Sequence, residues 1–187
     1  MKKISTLILA TLALIAIAAS SHSGGVYKTN TGTIDFFSHT PVEDISAVNH
    51  KVKTAFSSAN GKIQFSVLIK DFEFEKALMQ EHFNENYMES TKYRTATFSG
   101  TITDISKIKV STDGTYTSQV TGKLTIKDVT KEVATTGTFT VKGGVVNAKA
   151  AFNLNPSDYN VKIPRTVMNK ISDDIKISID ADYKHLH

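Results

Sequence analysis

A chain of 187 residues with 40% hydrophobic content suits one domain with a real core. Its formal charge of +4 includes Lys2 and Lys3, and its other lysines are interspersed with acids, so no basic face for nucleic acid is indicated. The absence of cysteine excludes disulfides, thiolate chemistry, cysteine-ligated metals and a lipid-modified cysteine anchor.

The chain opens with the basic Met1-Lys2-Lys3, an apolar run from Ile4 to Ile17 and the small residues of Ala16-Ile17-Ala18. That order is read as a signal peptide over 1–18, and the run is short for a membrane span. A Ser/Gly spacer over 19–24 then leads into a single domain over 25–187. The expectation is an exported protein, periplasmic or secreted, with no stable membrane insertion once the signal is cleaved.

From there the chain reads as strand after strand. Asn60-Gly61, Asp113-Gly114 and Gly143-Gly144 lie between β-rich runs and accept the backbone angles of tight hairpins. Ile63, Phe65, Val67 and Ile69 form one inward row, after which Phe72 and Phe74 fall on the opposite parity, as a bulge near Lys70-Asp71 would produce. Phe74, Leu78, Met79, His82 and Phe83 then follow a helical period, predicting a helix of about ten residues with Glu75, Lys76, Gln80 and Glu81 facing away. So short a helix needs a surface to rest on. Asn84-Glu85-Asn86 ends the period, and Tyr87-Met88 is expected to fold back.

Alternation resumes at Ala96, Phe98, Gly100 and Ile102, then at Tyr116, Ser118, Val120, Gly122, Leu124 and Ile126. It continues through Val133, Thr135, Gly137, Phe139 and Val141, and through Val146, Ala148, Ala150 and Phe152. The last strand, Ile175 to Tyr183, is the cleanest. A turn after Pro164, with Val167, Met168 and Ile171 on one side, supplies a second piece of rim. One dry face per strand predicts an all-β, lipocalin-like antiparallel barrel of about eight strands, with the short helix capping its mouth.

Gly100, Gly122 and Gly137 sit on the buried parity. Either they bend the strands and leave internal volume, or they make room for a neighbouring ring such as Phe65, Phe98 or Phe139. A lone helix over a barrel mouth suggests a container. The candidate ligand-binding set is Phe65, Phe98, Tyr116, Phe139 and Phe152 from the strands, with Phe72, Phe74, Leu78, Met79, His82, Phe83 and Met88 at the mouth. His39, His50 and His82 show no metal-ligand spacing, and His185 and His187 lie at a terminus, so no metal or other cofactor is expected. Nucleophile-elbow and phosphate-loop motifs are lacking, so the reading is non-enzymatic.

Several stretches together resemble the YceI-like family of exported lipid- or polyisoprenoid-binding proteins. They are Phe36-Phe37-Ser38, Ile45-Ser46-Ala47-Val48-Asn49, the run from Glu81 to Tyr93 leading into Ala96-Thr97-Phe98-Ser99-Gly100, Val120 to Ile126, Val129 to Val133, and Ser157-Asp158-Tyr159. The resemblance implies a barrel holding a long isoprenoid or other lipid-like amphiphile in its lumen. His82 and Arg165 are the candidates for meeting a polar head. The alternative is a secreted interaction or stress-response module whose barrel is filled by its own side chains. A homodimer is left open.

Overall fold

The computed structural model describes residues 24–185; the signal peptide read at 1–18, most of the spacer and His187 lie outside the described residues. The elements are β1 (Val26–His39), β2 (Asp44–Ser57), β3 (Lys62–Leu68), β4 (Glu73–Phe74), α1 (Ala77–His82), β5 (Thr95–Ile102), β6 (Gly114–Ile126), β7 (Val129–Lys142), β8 (Val145–Leu154) and β9 (Ile175–His185). They form one antiparallel sheet in the order β1-β9-β8-β7-β6-β5-β3-β2-β4. Because β1 also pairs with β2, eight strands close into a barrel and β4 is an extra strand on β2. Register shifts in β1 between Thr29 and Ile34, around Gly32, bend the strand that closes the sheet.

Alternation sets which residues face inward, and the inward rows read from sequence are the buried or half-buried ones. Two of the three expected hairpins are present. Gly61 and the Gly143-Gly144 pair have positive φ (71°, 56° and 81°). Asp113-Gly114 is not one: Gly114 begins β6, and β5 reaches β6 through a longer connection with a 3₁₀ turn at Ile105–Lys107. The turn-forming signal in Asp113 is spent elsewhere, since its carboxylate accepts from the Gly143 N–H at 3.0 Å. The tight turn between β6 and β7 is made instead at Lys127, with φ of 55°.

The barrel is solid at one end and loose at the other. At the solid end Phe56 stacks on Tyr27 with ring centroids 5.1 Å apart and meets Tyr183 edge-on at 5.0 Å. The Tyr183 hydroxyl and Thr54 share a buried 2.8 Å hydrogen bond, and burial pushes that phenol well above its ordinary range. At the other end the ladders run out early. β7 pairs with β8 only over Gly137–Lys142, and β2 with β3 only over Lys53–Phe56. Below the β7–β8 ladder the Thr135 hydroxyl donates to the Ala151 carbonyl at 2.7 Å, a side-chain bond standing in for a main-chain one.

The inward glycines prove to serve the rings. A Cβ on Gly100 or Gly122 would lie 2.6 or 2.7 Å from Phe98 Cζ, and one on Gly137 would lie 2.9 Å from Phe139 Cε2. Gly100 and Gly122 are cross-strand partners, so together they form a shallow trough in which the Phe98 ring lies.

Candidate functional site

Between the solid end and the splayed end lies a cavity of about 580 Å³, within the range of small-molecule sites. Phe139, 1% exposed, forms its floor with Val120 and Ala148. The walls are the inward rows of the strands, including Phe65, Phe98, Leu124, Val133, Ala150, Phe152, Ile177 and Ile179.

A lid covers part of the mouth. At Lys70-Asp71, where a bulge was expected, a 3₁₀ turn at Ile69–Asp71 flips the register and aims Phe72 and Phe74 inward. The helix α1 is shorter than the expected Phe74-to-Phe83 span. Phe74 belongs to β4, where its N–H donates to Gln80 Oε1 at 3.2 Å, and from Phe83 to Tyr87 the chain widens into a π turn closed by Met88 N–H to Phe83 O at 2.9 Å. Phe83 joins Phe36, Phe72 and Phe74 in a cluster with centroid spacings of 5.0 to 5.7 Å. Met79 and Met88 line the cavity beside it. Leu78 and His82, placed on the buried side by periodicity, are exposed, Leu78 by 61%, and touch the cavity at its rim; Gln80, expected outside, is half-buried.

A strap running from Pro156 to Ile171 covers the rest. Pro156–Tyr159 and Arg165–Lys170 form 3₁₀ turns, and Tyr159, Val161, Ile163, Val167 and Ile171 line the cavity. Met168, expected alongside Val167, is 57% exposed. The tighter pitch of a 3₁₀ turn removes it from the face an α-helix would have given it.

The structure thus brings every expected ligand-binding residue except Tyr116 to one cavity. Tyr116 has the right parity but the wrong depth. It packs against the core beneath the floor, opposite Phe139 in the ladder, and its hydroxyl donates to the Thr112 carbonyl at 3.0 Å. Arg165 is exposed and is not part of the lining. Sequence reasoning missed Ile34 and Phe36, which share a parity in β1 opposite the exposed Phe37, and Tyr159, Val161 and Ile163 on the strap, whereas Val167 and Ile171 lie at the rim as expected.

The polar lining gathers at the mouth. Ser38 Oγ accepts from the Ser172 N–H at 2.9 Å. Glu43 pairs with Lys76 at 3.2 Å and with Lys170 at 3.7 Å. Lys149 contributes to the wall, but its ammonium meets Asp180 at 3.0 Å. Among the described residues no three His, Asp or Glu side chains converge as a metal-binding group. The other histidines have local partners: His39 Nδ1 lies 2.6 Å from Asp44 Oδ1, and His50 Nδ1 lies 3.2 Å from Thr33 Oγ1.

Comparison with known proteins matches residues 17–183 to the YceI-like domain family. A polyisoprenoid binding domain from Saccharophagus degradans, implicated in plant cell wall breakdown, superposes with a TM-score of 0.76 at 13% identity, covering 87% of this chain and 99% of that one. BcnA of Burkholderia cenocepacia gives 0.67 at 18% identity over 81% and 95% of the two chains. A Campylobacter jejuni YceI protein gives 0.53 at 17% identity over 100% and 99%. No curated protein sequence matches. At these identities the structural likeness is one of fold.

Proposed function

The chain belongs to the YceI-like domain family, and from that premise we propose that it holds the tail of a long isoprenoid or similar lipid-like amphiphile inside its barrel, as a carrier or store rather than a catalyst. The observation that carries this reading is the apolar cavity of about 580 Å³ running from Phe139 to the lid. A barrel filled by its own side chains, the rival reading, would leave no such volume. At ~25 cal/mol per Å² of apolar surface withdrawn from water, a tail in this cavity needs few polar contacts to stay. Walls of alkyl and aromatic groups suit holding a molecule better than converting it. The polyisoprenoid-binding function ascribed to the Saccharophagus degradans domain supports the same ligand class. The basic and then apolar start of the sequence supports a site of action outside the cytoplasm.

Native mass spectrometry of the purified protein, followed by organic extraction, tests the proposal. A co-purifying apolar amphiphile that leaves on extraction and rebinds to the emptied protein is the expected result. A protein that carries nothing and takes up no long-chain isoprenoid added to it overturns the proposal.

A further inference from the structure

The tail reading leaves open what kind of headgroup the mouth accepts, and the charges there bear on it. Of the charged residues in the lining, Lys149 is neutralised outside by Asp180. Glu43, Lys76 and Lys170 converge from three different elements: the turn between β1 and β2, the residue before α1, and the end of the strap. Thr40 fixes the turn, accepting from the Val42 and Glu43 N–H groups at 3.3 and 3.1 Å and donating to the Glu43 carbonyl at 3.0 Å. The Glu43 carboxylate is thereby held where one oxygen meets each lysine.

Among the described residues that single carboxylate is the ion-pair partner of both ammonium groups, so the cluster carries one positive charge in excess. The lysine side chains are 62% and 46% exposed, and pairs so open to water are weak and readily exchanged. Deeper in the cavity no charged group awaits a head, and the Thr135 hydroxyl is already committed to Ala151. An amphiphile entering tail first therefore leaves its head at the mouth, beside two ammonium groups with one carboxylate between them.

Building on the tail reading, we propose that Lys76 and Lys170 form an anionic headgroup site, selecting amphiphiles that end in a carboxylate or a phosphate over neutral ones with the same tail. The headgroup takes lysine donors that Glu43 now shares, and the net charge of the mouth falls to zero for a monoanion. Arg165 has no part in this.

Isothermal titration with farnesol, farnesoic acid and farnesyl monophosphate, which share a tail and differ in head, separates the possibilities. The expected result is that both anions bind about tenfold more tightly than the alcohol at low salt, with the advantage shrinking as salt is added. The double substitution Lys76→Ala, Lys170→Ala removes that advantage and leaves the alcohol unchanged. Glu43→Gln, which leaves both ammonium groups uncompensated, enlarges it. Comparing the acid with the phosphate assigns the head. Equal affinity for the acid and the alcohol in the unmodified protein overturns the proposal. So does an equal loss for all three ligands in the double variant, which would make the cluster a latch on the mouth. Failure of the alcohol itself to bind would overturn the tail reading, a result distinct from either of these.

Discussion

At the residue scale the most constrained position in the barrel wall is the Gly100–Gly122 pair. A Cβ on Gly122 would lie 2.5 Å from both Gly100 Cα and the Ser99 carbonyl oxygen, and 2.7 Å from Phe98 Cζ. The first two are backbone atoms and cannot rotate away, so the sheet itself would have to part. Gly122→Ala is therefore expected to destabilise the protein by about 1–3 kcal/mol, the usual cost of overpacking a well-packed site. Urea denaturation measures it, and a shift below about 0.5 kcal/mol would mean that the trough is looser than its distances imply. Glycine periodicity marked these positions in the sequence but could not say whether space or a ring lay over them. That depends on where Phe98 points, which two-residue alternation leaves open.

At the element scale the lid is held by a remote lysine. Lys127, in the β6–β7 turn and with its side chain 7% exposed, donates to the Tyr87 carbonyl at 3.2 Å and to the Glu89 carboxylate, and its ammonium lies 5.3 Å from the centre of the Tyr93 ring. The hydrogen bond from Lys127 is the chief cause holding the Glu89 carboxyl below its ordinary 4.5. A carboxylate with a lowered folded-state pKa gives its full contribution above the unfolded value and loses it as pH falls through the folded one. The lid should accordingly be pinned at neutral pH and released in acid. Hydrogen exchange over residues 83–93, corrected for intrinsic rates, should show opening about two- to fivefold more frequent well below pH 4.5 than at pH 7. Glu89→Gln should open as often at pH 7 as the unmodified protein does in acid, and identical exchange in both proteins at both pH values would remove the pin from the account. The strands and inward rows were legible because alternation is a local signal. The lid was legible only in part. Past His82 the helical turn widens rather than ends, with the Phe83 N–H still bonded back to Met79 O while the ring packs on Phe36, Phe72 and Phe74, and those partners come from β1 and from the segment around β4. The Glu43–Lys76–Lys170 cluster was illegible for the same reason, since its members are brought together by tertiary folding alone.

At the scale of the whole molecule, rigidity and capacity are divided between the two ends of one sheet. The solid end, where Tyr27, Phe56, Phe139 and Tyr183 pack together, supplies the stability that lets the strands part at the other end without the barrel collapsing. If the cavity is spare volume, narrowing it should cost the fold nothing and weaken binding. Ala150 faces the cavity from β8, between Gly137 and Ile179 in the neighbouring strands, and a larger side chain there projects into empty space. Ala150→Leu should keep the stability of the unliganded protein or raise it, by the ~0.5–2 kcal/mol that filling part of a cavity commonly yields. In the unmodified protein, a ligand at a hundred times its dissociation constant adds about 2.7 kcal/mol, or roughly 5–10 °C in melting temperature for a chain of this length. The Ala150→Leu protein should show a smaller shift with the same isoprenoid. Thermal scans of both proteins with and without ligand decide the matter. A variant that loses stability without ligand would show that the wall at Ala150 is already packed, and one that keeps the full ligand shift would place the tail elsewhere than against β8.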